Sequence, residues 1–118
     1  MTPTEIKLRR QSRMLEIAYP DGNRFSLPCE YLRVYSPSAE VRGHGQEILQ
    51  LGKENVNITQ IEPVGQYGVK LFFDDGHHTG IYSWDYLLRL AVKHDELWQD
   101  YLARLKQAGY QRKPATAE

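Results

Sequence analysis

One pattern occurs twice in this chain and constrains its fold more than any other feature. Leu15, Ile17, Tyr19, Asp21, Gly22 and Leu27 return 54 positions later as Val69, Leu71, Phe73, Asp75, Gly76 and Ile81. With one residue inserted, Tyr31-Leu32 returns as Tyr86-Leu87. Each copy alternates apolar and polar residues, breaks at an Asp-Gly pair, resumes as a strand and then takes on helical spacing. Alternation with period two marks a half-buried strand. Asp and Gly tolerate the backbone angles that a tight turn requires. The chain therefore reads as two hairpins, each feeding a helix that can pack on the sheet. The expected class is α+β: a two-layer domain with a mainly antiparallel sheet built from β-hairpin–helix units, plus a C-terminal helical segment.

The rest of the chain fits around these units. Ile6 and Leu8 mark a strand ahead of the first hairpin. Cys29 to Tyr35 reads as a short helix after Pro28, ended by Ser36-Pro37 because proline disfavours a helical residue before it. Residues 36 to 55 are polar and carry Gly43, Gly45 and Gly52, which predicts one long loop. Val56, Ile58 and Ile61 predict a strand, with a turn from Pro63 to Gly68. Ser83 can cap the helix of Trp84, Leu87, Leu88 and Leu90. A break over Lys93 to Asp95, with Asp95 as a second cap, precedes a helix that stops at Gly109. The domain is thus expected over residues 1–109, followed by a disordered tail over 110–118.

With 118 residues there is room for one domain, and lysine plus arginine equal aspartate plus glutamate at 15 each. Zero net charge argues against a protein built to hold nucleic acid, which needs a strong positive excess. Arg9, Arg10 and Arg13 read as solvated surface. The single cysteine, Cys29, suits a reducing compartment. No signal-like or membrane-length apolar run occurs, so a cytoplasmic protein without nucleic-acid or membrane partners is expected.

The chemistry-bearing residues form no familiar catalytic pattern. His77 and His78 lie beside Asp74 and Asp75, so Asp75, His77 and His78 are the alternative ligands for a transition metal. Adjacent strand residues point to opposite faces, however, so the two imidazoles rarely reach one ion. Gly43-His44-Gly45 lacks the Lys-Ser/Thr ending of a phosphate loop. Cys29 reads as a small buried hydrophobe. Ser36 and Ser38 are not set in a nucleophile elbow.

Two stretches are distinctive: Leu32-Arg33-Val34-Tyr35-Ser36-Pro37-Ser38-Ala39-Glu40-Val41-Arg42-Gly43-His44-Gly45, and Phe73-Asp74-Asp75-Gly76-His77-His78-Thr79-Gly80-Ile81-Tyr82-Ser83-Trp84-Asp85-Tyr86-Leu87. Together they resemble the gamma-butyrobetaine hydroxylase-like N-terminal domain family, a domain of unknown function, over residues 5 to about 108. The resemblance implies a domain that stands alone in bacteria. It is also fused ahead of an iron- and 2-oxoglutarate-dependent oxygenase domain, or joined to a P-loop ATPase of the iron–sulfur carrier type. Oxygenase members of the family hold a structural zinc through three cysteines and a histidine. Those positions fall here on Ser36, Ser38, Val41 and His77, so no such zinc is expected. The oxygenase domain itself has no counterpart in the chain, and its activity does not carry over.

The expected function is that of a non-enzymatic accessory or protein-interaction domain without a cofactor, with a link to iron–sulfur protein maturation that the resemblance permits. The expected partner-binding residues are Arg33, Ser36, Ser38, Glu40, Arg42 and His44, on a loop that joins the turn of Asp75 to His78. Arg33 and Arg42 could hold an anionic group or a partner carboxylate, unless Glu40 engages one of them internally. The alternative is a metal-binding protein using His77 and its neighbours.

Overall fold

The computed structural model describes residues 1–42 and 48–113. Within them the order is β1 (Glu5–Arg9), β2 (Met14–Ala18), β3 (Arg24–Pro28), α1 (Cys29–Val34), α2 (Ala39–Arg42), β4 (Ile58–Val64), β5 (Gly68–Phe73), β6 (Ile81–Ser83), α3 (Trp84–Val92) and α4 (His94–Gln107). The fold is α+β. Its strands form two antiparallel three-stranded sheets, ordered β1-β2-β3 and β4-β5-β6, and a helix follows each. Leu15, Ile17 and Leu27 from one sheet and Val69, Leu71 and Tyr82 from the other join Leu32, Leu87 and Leu90 in a common core.

The repeated Asp-Gly pair is repeated in geometry. Tyr19 N donates to Asn23 O, and Phe73 N donates to His77 O, each at 2.9 Å. Asn23 N donates to Asp21 Oδ1 at 3.0 Å, and His77 N donates to Asp75 Oδ1 at 3.1 Å. Gly22 and Gly76 take φ of 90° and 89°, the left-handed region that closes a three-residue hairpin loop. The pattern then slips by one. Leu15 pairs with Leu27, but Val69 pairs with Tyr82. Tyr82 therefore takes the inward place, and Ile81 is exposed. The inserted residue falls between Gly76 and Tyr82, where His77 to Gly80 leave the ladder.

Four boundaries differ from the expectation. Strand β4 runs through Pro63 to Val64. It tolerates proline because it is an edge strand whose missing N–H costs no ladder bond at a free edge. The segment after Ser36 contains the short helix α2, and Ser36, Ser38 and Val41 are buried. The break between α3 and α4 is the single residue Lys93, so Asp95 lies in the first turn of α4 and is not its cap. Finally, residues 110–113 are docked. Gly109 at φ 74°, with Gly109 N donating to Lys106 O and Tyr110 N to Leu105 O, turns the chain back along the helix. Tyr110 and Arg112 then reach buried carboxylates. Residues 114–118 of the expected tail lie outside the described residues.

Tyrosines fix where α1 ends. A six-residue helix leaves most of its terminal carbonyls without helical partners. Tyr82 Oη donates to Leu32 O and Tyr86 Oη donates to Tyr35 O, each at 2.6 Å. Tyr31 Oη and Tyr35 Oη donate in turn to Leu90 O and Leu97 O, tying α1 to the C-terminal helices. Ser36 thus leaves α1 at a position set by β6 and α3. Among the described residues no helix is long and apolar enough to cross a membrane.

Candidate functional site

The two distinctive stretches meet. At the end of α1, Arg33 Nε donates to Asp75 Oδ2 at 2.8 Å, and Lys53 Nζ reaches the same oxygen at 2.7 Å. Ser36 Oγ lies 2.8 Å from His77 Nε2, and His77 Nδ1 lies 3.2 Å from Glu40 Oε2. Ser38 Oγ and Thr79 Oγ1 are 2.6 Å apart. The serines also order their own loop, since Ser38 N donates to Ser36 Oγ and Glu40 N donates to Ser38 Oγ, each at 3.2 Å. A polar clasp therefore closes the segment after α1 onto the second Asp-Gly turn.

The proton positions follow from the partners. A carboxylate only accepts, so His77 Nδ1–H donates to Glu40, and the bare Nε2 accepts from the Ser36 hydroxyl. Burial, then the nearby Arg33 guanidinium, hold the imidazole below its ordinary pKa, which outweighs the pull of Glu40 and Asp75. His77 is neutral at pH 7. Burial alone would raise the Asp75 carboxyl. Hydrogen bonds from Lys53, His77 N–H and Arg33 outweigh it and bring the carboxyl down to about 2.

Ser36, His77 and Glu40 have the spacing of a hydrolytic Ser-His-acid relay, but not its access. Ser36 has no exposed surface. Gly80 lies over its hydroxyl so closely that a Cβ there would overlap Oγ and press on Pro37 Cδ. A nucleophile needs room beside it for the atom it attacks. The other candidate, Cys29, is also fully buried, and burial pushes its thiol up to about 11, far from the reactive thiolate.

The expected site residues thus divide. Ser36, Ser38 and Arg33 are expected on a binding surface, but all three are buried. Arg33 sits inside because its charge is met by Asp75, 42 residues later. Its Nη1 has no hydrogen-bond partner among the described residues. Glu40 remains accessible at its carboxylate, and engages His77. The backbone of Arg42 ends α2, but its side chain, like His44, lies outside the described residues. His78 turns away from His77 and stacks on Phe72 with ring centroids 5.4 Å apart. Lys53, Thr79 and Gly80 also shape the site. Thr79 and Gly80 stand in the second distinctive stretch, whereas nothing around Lys53 in sequence points to Asp75.

The family model described as "Gamma-butyrobetaine hydroxylase-like, N-terminal" matches residues 6–88. The chain belongs to this family. Solved structures extend the likeness. One solution NMR structure shares 50% identity at a TM-score of 0.84 and covers 98% of this chain and 92% of its own. A second shares 55% identity at 0.83, covering 99% and 89%. A crystal structure from Acidithiobacillus ferrooxidans, described as a protein of unknown function in the DUF971 family, shares 42% identity at 0.66, covering 76% and 92%. No curated protein matches the chain. The gamma-butyrobetaine hydroxylase-like N-terminal domain is thus a domain of unknown function here as in its described neighbour.

The zinc that the family implies does not fit these residues. Two hydroxyls and the isopropyl group of Val41 stand where thiolates are needed, and Ser36 already donates to His77 Nε2. Nor do Asp75, His77 and His78 converge, since Asp75 is engaged by two cations and His78 faces elsewhere. Among the described residues no group of three metal-binding side chains occurs.

Proposed function

We propose that this domain acts by binding a protein partner and not by catalysis. The observation that carries the reading is the closed clasp: Ser36 and Cys29 have no exposed surface, and both nitrogens of His77 are engaged. The accessible part of the site is its rim. Ile48 and Leu51, 52% and 47% exposed, lie on the segment that leads to Lys53. Ile48 N donates to Val41 O at 2.6 Å, which holds it against the end of α2. Exposed aliphatic side chains on the segment that leads to Lys53, together with the charged groups of Glu40, Lys53 and Asp75, supply the apolar and polar components of a small protein interface. A partner in iron–sulfur protein maturation is the finer form of this reading. It is supported by the fusions that the family resemblance implies.

Quantitative capture from a bacterial lysate, read by mass spectrometry, tests the reading on three proteins: the parent, an Ile48→Asp/Leu51→Asp variant, and Tyr67→Ser. Tyr67 is somewhat more exposed than either but lies before β5, at the end opposite the Asp75 turn. A partner recovered by the parent and by Tyr67→Ser, and lost from the double variant, is the expected result. Equal recovery by all three would place the binding surface elsewhere.

A further inference from the structure

The C-terminal strap and the clasp share their anchoring elements. Asp75 receives two cations, Arg33 from α1 and Lys53 from the segment before β4. The strap Tyr110–Lys113 ties down those same two pieces of chain. Arg112 Nε donates to Glu30 Oε2 at 2.8 Å, and Glu30 stands one turn before Arg33 on α1. Tyr110 Oη and Lys113 N donate to Glu54 Oε2 at 2.7 and 2.9 Å, and Glu54 is the residue next to Lys53. Both carboxylates are buried, at 4% and 7% exposure. A buried charge that loses its partners relaxes its surroundings until it reaches water or another donor. Tyr101 Oη also donates to Glu30, and the Trp98 ring lies under the Arg112 guanidinium at 5.4 Å, so α4 supplies the bed on which the strap lies.

We propose that the strap is a conformational clamp on the clasp: by holding Glu30 and Glu54 together it sets the distance between Arg33 and Lys53, and so holds the Asp75 turn closed. Its release loosens the turn and opens the rim beside Leu51. The coupling is a property of the domain alone and does not depend on the partner reading. It also accounts for two buried carboxylates whose partners come from the far end of the chain.

Amide hydrogen exchange on the full chain tests this. In Tyr110→Phe/Arg112→Gln, the donors to Glu54 and Glu30 are weakened without shortening the protein. The amides of Lys113 and Tyr110, which donate to Glu54 and Leu105, report the strap, and those of Gly76 and His77 report the turn. The expected result is that both pairs exchange about tenfold faster than in the parent, while Leu15 and Leu71 in the central strands keep parental rates. Adding Lys113→Pro removes the strap's remaining donor to Glu54, so that the Tyr110 amide alone then reports the strap, and its exchange and that of the turn should both rise further. A strap that exchanges freely above an unchanged turn overturns the proposal. So does a strap that stays protected after all three substitutions, since the named bonds would then not be what holds it.

Discussion

Asparagine at position 75 removes a charge while leaving the turn intact. Its amide oxygen can still accept from His77 N, as Asp75 Oδ1 does at 3.1 Å. What goes is the anion 2.8 Å from Arg33 Nε and 2.7 Å from Lys53 Nζ. The Asp75 carboxyl falls from 3.8 to about 2 in the folded chain, net of burial, which opposes the fall. At about 1.4 kcal/mol per pH unit the fall corresponds to about 2.5 kcal/mol. A fifth of the Asp75 side chain meets water, so screening reduces this to about 1.5–2 kcal/mol. Arg33, with its side chain 8% exposed and its Nη1 without a hydrogen-bond partner among the described residues, then loses its counter-ion, which brings the total to about 2–3 kcal/mol. Because the folded carboxyl is the stronger acid, this contribution is complete above about pH 4 and fades as pH falls towards about 2. Urea unfolding of the parent and Asp75→Asn at pH 7 measures it directly. Asp75→Asn/Arg33→Met should recover part of the loss, because the unpaired cation goes as well. A cost below about 0.5 kcal/mol for Asp75→Asn would refute the burial argument and return Arg33 to the surface.

Four further outcomes rest on burial and packing. His77 and His94 are both held below their ordinary pKa, by burial first, so the unfolded chain takes up their protons more readily. Stability should be level above about pH 6.5 and fall as pH drops below it, with His77→Gln and His94→Gln each removing part of the slope in melts across pH 5–8. Gly80→Ala would drive a methyl into Ser36 Oγ, and should cost about 2 kcal/mol or more by urea unfolding. The Cys29 thiol, at about 11 and buried, should react with a disulfide reagent at pH 8 only as fast as the domain unfolds. Cys29→Ala should cost no more than about 1–3 kcal/mol.

The sequence carries more of the fold than of the site. Asp21-Gly22 and Asp75-Gly76 mark their hairpins because the turn is closed by adjacent residues, and local chemistry is what a sequence displays. The convergence of the loop that begins at Arg33 with the turn of Asp75 to His78 is anticipated as well, because these are the two stretches that stand out in the sequence. Burial is not. Arg33 looks like a surface residue until Asp75 is placed against it, and nothing local shows that pairing. The strap is hidden for the same reason: Tyr110 and Arg112 sit in a polar tail, and their carboxylates lie 56 and 82 positions away. Pro63 misleads in the opposite direction, since its effect depends on whether its strand is at an edge, which only the sheet order decides.

The closed clasp is tested most directly by asking whether Ser36 can be reached. Native protein is incubated with a fluorophosphonate, which labels serines activated by a histidine and open to solvent, and its intact mass is measured. With Ser36 fully buried beneath Gly80, the mass should stay unchanged over hours at pH 7.5. A stoichiometric adduct on Ser36 that disappears in His77→Gln would contradict the account, and would make the Ser36-His77-Glu40 relay a catalytic one.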